Sequence, residues 1–146
     1  MVKQVLNEDR LCITLGGDHA IGIGTIHGFT QMYPESCLLW IDAHADINTM
    51  KNSVSGNMHG MPVAFNIPVP EIQAHFASTK WLQPKLRPER IAYIGLRDVD
   101  SPERQIMDKL GIASFSMREI DVMGIRQVRH DSWQSGRLFL VFFTNT

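Results

Sequence analysis

Five short apolar runs constrain the fold of this chain more than any other feature of its sequence. Within each run the apolar residues are continuous rather than alternating, which is typical of strands that are covered on both faces. Helix-like stretches separate several of the runs. This alternation predicts an α/β fold in three layers, with a mainly parallel sheet and helices on both of its faces. The runs comprise residues 11–15, 37–41, 91–96, 112–115 and 138–143.

Helix signals lie between the predicted strands. Residues 20–31 carry an imperfect stripe of three isoleucines and a phenylalanine at helical spacing. The Ser-Pro-Glu sequence at residues 101–103 favours a helix start, and Gly111 favours the end of that helix. Further helices are expected near residues 71–76 and 124–133, and the polar residues 48–62 are expected to form a long loop.

Length and charge narrow the class of protein. The 146 residues fit one domain, and a net charge of −1 with dispersed charges excludes an electrostatic surface for nucleic acid. Two cysteines are too few for a disulfide framework and favour a reducing compartment. The sequence contains neither a signal peptide nor a run long enough to span a membrane. We therefore expect a cytoplasmic protein with a small-molecule substrate.

Side chains that can bind metal recur at alternate positions directly after the second apolar run. Asp42, His44 and Asp46 would point the same way if the chain stayed extended, because strand side chains alternate between faces. Two carboxylates and an imidazole would repel unless a cation lay between them or protons were taken up. His19, which follows a Gly-Gly pair, can supply a second imidazole. This donor set suits Mn²⁺, Fe²⁺ or Zn²⁺. The D-x-H-x-D motif alone could also be a strand that ends in a polar loop. The G-G-D-H motif after the preceding predicted strand favours a metal site instead.

The loop that follows has a period of its own. Ser53, Ser55, Asn57 and His59 alternate within "SVSGNMHG", so an extended segment would present two hydroxyls, an amide and an imidazole on one side. Such a set suits recognition of a polar small molecule, with His59 available as a general acid or base. A solvated loop is the alternative on spacing alone.

Two acidic residues mark the start of the helix after the third run. Asp100 and Glu103 lie at a strand-to-helix transition, where a carboxylate is commonly a helix cap or a first-turn residue. The functional alternative is binding of a substrate ammonium group.

Four motifs in order resemble those of a known family. "LGGDHAIGIG", "WIDAHADINT", "SGNMHGMPVAF" and "YIGLRDVD" closely resemble successive motifs of arginases, in the ureohydrolase superfamily, and the resemblance runs from about residue 11 to residue 128. It implies an arginase-like α/β fold, two Mn²⁺ ions per site and hydrolysis of L-arginine to L-ornithine and urea by a metal-activated hydroxide. Family members commonly form trimers or hexamers, so the resemblance also implies a homo-oligomer.

The resemblance also implies roles for individual residues. His19 matches a ligand of one manganese ion, His44 a ligand of the other, and Asp42 a carboxylate that bridges both. Asp46 matches a ligand that also orients the bridging hydroxide. His59 matches the histidine that shuttles protons.

The remaining matches concern the amino acid part of the substrate. Asn48, Ser55 and Asn57 match residues that hold its carboxylate, and Ser53 stands where the family usually has threonine. Asp100 and Glu103 match the contacts around its α-amino group.

The chain departs from the family in ways that bear on activity. Arginases are considerably longer, so residues 1–146 are expected to form a single partial domain, truncated at both ends, with an atypical tail at 129–146. Thr144 and Thr146 align with two family aspartates that complete both metal shells, and threonine hydroxyls are poor ligands for Mn²⁺. We therefore expect weak Mn²⁺ binding at one site at most and doubtful activity. The alternative is a catalytically inactive arginase-like fragment that acts through binding to partner subunits.

Overall fold

The computed structural model describes residues 1–76, 79, 81–127 and 139–143. Its helices are α1 (Val2–Asn7), α2 (Ile21–Met32), α3 (Pro62–Asn66), α4 (Pro70–Gln73), α5 (Ser101–Leu110) and α6 (Met117–Met123), with 3₁₀ turns at Met58–Gly60, Ala74–Phe76 and Pro88–Arg90. Its strands are β1 (Cys37–Ile41), β2 (Ile91–Leu96), β3 (Ala113–Ser116) and β4 (Phe139–Phe143). Within the described ranges, no helix is both long and apolar enough to cross a membrane.

The four strands form one parallel sheet in the order β3-β2-β1-β4. Because all strands run the same way, their carboxyl ends meet at one edge, where ligands gather in sheets of this kind. β1 lies between β2 and β4, so the segment that leaves β1 emerges at the centre of that edge. This topology confirms the predicted α/β fold with a parallel sheet.

Alternate residues of the central strands face two separate apolar layers. Leu38 and Trp40 belong to the larger core, which α2, α3 and α5 cover, whereas Leu39 packs with Ala92 in a smaller cluster. Ile120 of α6 contributes to that second cluster. Helices therefore cover both faces of the sheet, and this explains why the strand sequences are continuously apolar.

The local signals of α5 are confirmed. Asp100 is its N-cap, Pro102 lies in its first turn, and Gly111 ends it in the left-handed conformation with φ of +63°. The predicted helix at 71–76 is present as α4 followed by a 3₁₀ turn, and the predicted helix at 20–31 is α2.

The predicted strand at residues 11–15 is wrong. These residues have no regular structure, and Leu11, Ile13 and Leu15 are 85%, 73% and 89% exposed. A strand needs a neighbour for its backbone hydrogen bonds, and no strand of the described chain pairs with this segment.

The helix predicted near residues 124–133 lies largely outside the described residues. Residues 125–127 are helical, and α6 precedes them where no helix was predicted. Most of the tail at 129–146 lies outside the described residues as well, including Thr144 and Thr146.

Candidate metal centre

The segment after β1 turns sharply instead of continuing as a strand. The amide of Asp42 donates to the Ile94 carbonyl of β2 at 3.1 Å, and the Ala43 carbonyl accepts from the amides of Arg97 and Asp98 at 2.9 and 3.0 Å. Asp46 has φ of +49°, a left-handed conformation that residues other than glycine seldom adopt. The chain therefore does not stay extended after β1, yet the turn brings the same side chains together. We name residues 42–48 the β1 loop.

Gly95 lies beside the β1 loop, where the β2–β3 register is interrupted. Its φ of +91° is a conformation that favours glycine, whereas an added Cβ would lie 3.5 Å from the Asp42 carbonyl oxygen, an ordinary contact distance. Glycine therefore suits the backbone conformation of this position.

The turn before α2 carries the first imidazole. The Asp18 carboxylate accepts a hydrogen bond from the Ala20 amide at 2.9 Å, which shapes the turn. The His19 ring meets the buried Trp40 ring edge-on, with centroids 6.3 Å apart. Packing therefore directs His19 toward the β1 loop.

Two carboxylates and two imidazoles converge at this point. His19 Nδ1 forms a short hydrogen bond with Asp46 Oδ2 and lies 3.4 Å from Asp42 Oδ2. One ligand atom from each of these three residues falls within 4.8 Å of the others. His44 Nδ1 lies 3.4 Å from Asp42 Oδ1, on the other side of that carboxylate. Asp42 therefore lies between the two imidazoles.

The electrostatics of these carboxylates favour a cation. Asp42 and Asp46 are 5% and 4% exposed, and Asp42 Oδ2 accepts no hydrogen bond from any described residue. Burial raises the pKa of Asp46 to about 6, although the hydrogen bond and the charge of His19 lower it. A divalent cation would satisfy the unpaired oxygen and offset the desolvation of both acids. Oxygen and imidazole donors without thiolate match Mn²⁺, Fe²⁺ or Zn²⁺.

Asp100 and Glu103 form a capping box at the start of α5 that also contacts the β1 loop. Asp100 Oδ1 accepts from the Glu103 amide at 2.8 Å, and Glu103 Oε2 accepts from the Asp100 amide at 3.2 Å. Asp100 Oδ2 accepts from Asn48 Nδ2 at 2.8 Å, and Glu103 Oε1 accepts from the Ile47 amide at 3.2 Å. Burial raises the pKa of Glu103 to about 7, and the nearby Asp100 charge adds to the shift. Asp100 and Glu103 therefore cap α5, as the structural alternative predicted. Both residues also line the cleft, where the functional alternative expected them.

The predicted residues of the polar loop divide into two groups. His59 is exposed and lines the cleft above the carboxylates. Ser53 and Ser55 accept hydrogen bonds from the Gly56 and Asn57 amides at 3.0 and 3.2 Å, and these two hydroxyls shape their own loop. Ser53, Ser55 and Asn57 are not among the residues that line the cleft.

The cleft has a volume of about 470 Å³ and an acidic, imidazole-rich lining. It includes three residues that were not among the predicted site residues: Asp18, Gly60 and Asp98. Asp98 Oδ2 lies 3.6 Å from His44 Nε2, within ion-pair range. Its position directly after β2 is the signal that could have found it, because it leaves the sheet at the same edge as Asp42. The full lining is Asp18, His19, His44, Asp46, Asn48, His59, Gly60, Asp98, Asp100 and Glu103.

The described residues thus define an α/β protein with a candidate metal centre at the carboxyl edge of a parallel sheet. Residues 1–135 match the family model described as the Arginase family. The chain belongs to this family.

Relatives of known identity agree with this assignment. The chain is 50% identical to an arginase of Saccharomyces cerevisiae over 128 residues, and the match covers 87% of this chain and 38% of the relative. It is 46% identical to a hepatic arginase of Aquarana catesbeiana, covering 90% of this chain and 41% of that one. A mouse relative named as mitochondrial arginase-2 is 44% identical over 91% of this chain and 38% of its own length. The chain thus spans less than half the length of these relatives, and the cytoplasmic location stays a prediction.

Solved structures show the same fold. A cold-adapted arginase from the yeast Glaciozyma antarctica superposes with a TM-score of 0.84 at 40% identity, covering 96% of this chain and 52% of that one. An arginase from Bacillus caldovelox gives a TM-score of 0.82 at 33% identity, covering 96% of this chain and 48% of that one. The arginase-like fold predicted from the sequence is therefore confirmed.

Proposed function

We propose that this chain carries part of the metal-binding residues of an arginase site and takes part in the hydrolysis of L-arginine to L-ornithine and urea. The observation that carries the proposal is the convergence of His19, Asp42 and Asp46, whose ligand atoms lie within 4.8 Å of one another. His44 joins the centre from the opposite side of Asp42. The names of the relatives support the reaction class.

We propose manganese as the metal, because the donor set fits Mn²⁺, Fe²⁺ or Zn²⁺ and the family resemblance implies manganese among them. His19, Asp42, His44 and Asp46 would hold it, with the Asp42 carboxylate lying between the two imidazoles. Divalent ions in such a centre supply Lewis acidity, which activates water as a nucleophile at neutral pH. The protein residues hold the carboxylates in place, since the β1 loop is tied to β2, α3 and α5.

The cleft suits a cationic substrate with an amino acid end. Asp98 and Asp100 place exposed carboxylates at its wall, where they can bind an ammonium or guanidinium group. Asn48 donates to Asp100, which orients that carboxylate. His59 lies in the same cleft and can donate a proton to the departing amine nitrogen.

Three further parts of the proposal concern the substrate carboxylate, the substrate α-amino group and the assembly. We assign the substrate carboxylate to Asn48, Ser55 and Asn57, with Ser53 on the same loop, because the family resemblance gives these positions that role. Glu103 is proposed to act near the α-amino group. A trimer or hexamer remains a prediction of the family resemblance.

The metal centre can be tested with one substitution and a matched control. Replacing Asp42 by asparagine removes the carboxylate that lies between the imidazoles, so Mn²⁺ affinity measured by calorimetry should fall at least about tenfold, since even outer-sphere partners contribute that much. Asp108→Asn changes an exposed acid of α5 that does not line the cleft and should leave the affinity unchanged. Circular dichroism should show that the Asp42→Asn variant and the unaltered chain are both folded. Equal Mn²⁺ affinity of the two folded proteins would refute the proposed centre.

Urea release tests the reaction itself. Mn²⁺-dependent urea formation that disappears in the Asp42→Asn variant would support arginine hydrolysis by this chain. Mn²⁺ binding with urea formation at the rate of the buffer would favour the alternative, an inactive arginase-like fragment that binds partner subunits. One observation supports that alternative: Leu11, Ile13 and Leu15 present an exposed apolar strip that another chain could cover.

A further inference from the structure

Glu103 is the more deeply buried of the two acids in the α5 capping box. It is 5% exposed, and both oxygens of its carboxylate accept a hydrogen bond. Oε1 accepts from the Ile47 amide and Oε2 from the Asp100 amide, both at 3.2 Å. A carboxylate held by two backbone amides of different elements is suited to fixing those elements relative to each other.

The Ile47 amide belongs to the peptide group that follows Asp46. The carbonyl of the same peptide group accepts from the Val63 amide at the start of α3, at 3.1 Å. Both polar atoms of this peptide group are therefore held, one by α3 and one by α5. Fixing the peptide plane fixes the backbone of Asp46, whose left-handed φ of +49° needs support from its surroundings.

We propose that Glu103 is a positioning residue, which holds the Asp46–Ile47 peptide group and so keeps the Asp46 carboxylate facing His19 and Asp42. The proposal rests on the metal centre proposed above, and it deepens the role that the family resemblance implied for Glu103. Asp100 supports the same loop through Asn48, so the first turn of α5 holds the β1 loop at two adjacent residues.

The chain offers an internal comparison for this role. α6 begins with a second capping box, in which Glu119 accepts from the amide and the hydroxyl of Ser116, each at 2.7 Å. Glu119 is exposed and its hydrogen bonds are confined to its own cap. Capping therefore does not require the additional contact that Glu103 makes with Ile47.

Three variants separate positioning from capping. Glu103→Ala removes the glutamate half of its capping box and the contact with Ile47, and Glu119→Ala removes only the glutamate half of its box. Glu103→Gln keeps a carbonyl oxygen for Ile47. We expect Mn²⁺ affinity to fall by about tenfold to a hundredfold in Glu103→Ala, to recover in Glu103→Gln and to be unchanged in Glu119→Ala. Thermal unfolding should show a larger loss of melting temperature for Glu103→Ala, because it also leaves the Ile47 amide without its partner, so the affinities are compared at a temperature at which both variants are folded.

Two measurements without metal test the contact between Glu103 and the Ile47 amide separately from metal binding. In Glu103→Ala the Ile47 amide should exchange with solvent faster, and the His19 ring nitrogen resonances should shift because Asp46 has moved. Neither change is expected in Glu119→Ala. If the unaltered chain binds no Mn²⁺, the proposed function fails, while the exchange rate and the ring resonances still decide the role of Glu103.

Two outcomes would overturn the proposal. Unchanged Ile47 exchange and unchanged His19 resonances in Glu103→Ala would show that the peptide group is held without Glu103. An equal loss of Mn²⁺ affinity in Glu119→Ala and Glu103→Ala would assign the effect to general destabilisation.

Discussion

Individual carboxylates in this protein differ because their surroundings differ. Asp46 and Glu103 are buried and have raised pKa values, whereas the pKa of the exposed Glu119 is lowered by hydrogen bonds from Ser116. Glu103 and Glu119 occupy the same position of the same capping motif. Burial therefore decides whether the pKa of such a glutamate is raised or lowered. The pH dependence of stability should reveal this difference between Glu103 and Glu119.

The pKa of Glu103 predicts a loss of stability as pH rises. Its pKa is about 7 in the folded chain against an ordinary 4.5, so between these values the folded state binds the extra proton and stability falls with increasing pH. The effect is at most about 3 kcal/mol, and water in the cleft reduces it. Glu103→Gln does not titrate, so urea unfolding of the metal-free proteins should show its stability rising relative to the unaltered chain between about pH 5 and pH 8.

The matched control for this titration is Glu119→Gln. Because the pKa of Glu119 is lowered, its contribution is complete above its ordinary pKa and is lost only as the pH falls into the acidic range. The stability difference between Glu119→Gln and the unaltered chain should therefore stay level from about pH 5 to pH 8. A level difference for Glu103→Gln as well would contradict the prediction.

Residue patterns predicted which side chains come together in the candidate metal centre but not their geometry. The period of two selected Asp42, His44 and Asp46, which do converge, although the chain turns there instead of staying extended. A left-handed residue at Asp46 depends on Val63 and Glu103, which lie far away in the sequence. Local spacing carries no information about such contacts.

At the scale of elements, local sequence signals predicted helices and strands correctly where the packing of neighbouring elements favoured the same structure. The apolar run at 37–41 is β1, and the Ser-Pro-Glu start and Gly111 end of α5 are present as predicted. Residues 11–15 carry the same apolar signal and form no strand, because a strand also needs a neighbour in the sheet. Hydrophobic pattern therefore predicts the tendency of a segment, while its neighbours decide the outcome.

Two glycines allow a test of backbone conformation, because alanine should destabilise the protein at one of them, at the end of α5, and stabilise it at the other, inside α2. Gly111→Ala places a side chain at φ of +63°, and nothing lies within 4 Å of the new Cβ, so strain alone should destabilise the protein by about 1 kcal/mol. Gly24→Ala lies inside α2, also without a neighbour within 4 Å, and should stabilise it by about 0.4–1 kcal/mol. Chemical denaturation measures both changes. Changes of the same sign would contradict this account of the α5 end.

At the scale of the whole molecule, the sheet and the cleft depend on elements that are distant in sequence. The β1 loop is tied to β2, α3 and α5, so the centre forms only when the parallel sheet and its helices are assembled. Parallel pairing of this kind is non-local, and non-local pairing slows folding. The metal centre should therefore respond to changes in assembly as well as to changes in its ligands.

The exposed strip formed by Leu11, Ile13 and Leu15 predicts self-association of the whole molecule. Three apolar side chains within residues 11–15, between 73% and 89% exposed, offer an apolar surface that a second chain can cover. The triple variant Leu11→Ser, Ile13→Thr, Leu15→Ser should shift concentration-dependent light scattering toward the monomer. Its stability should change little, because side chains this exposed contribute little to folding. Val54→Ser, which changes a single fully exposed apolar residue at 102% exposure, is the control and should leave the association unchanged. A monodisperse monomer for the unaltered chain, or equal association of the triple variant, would show that the strip does not act as an interface.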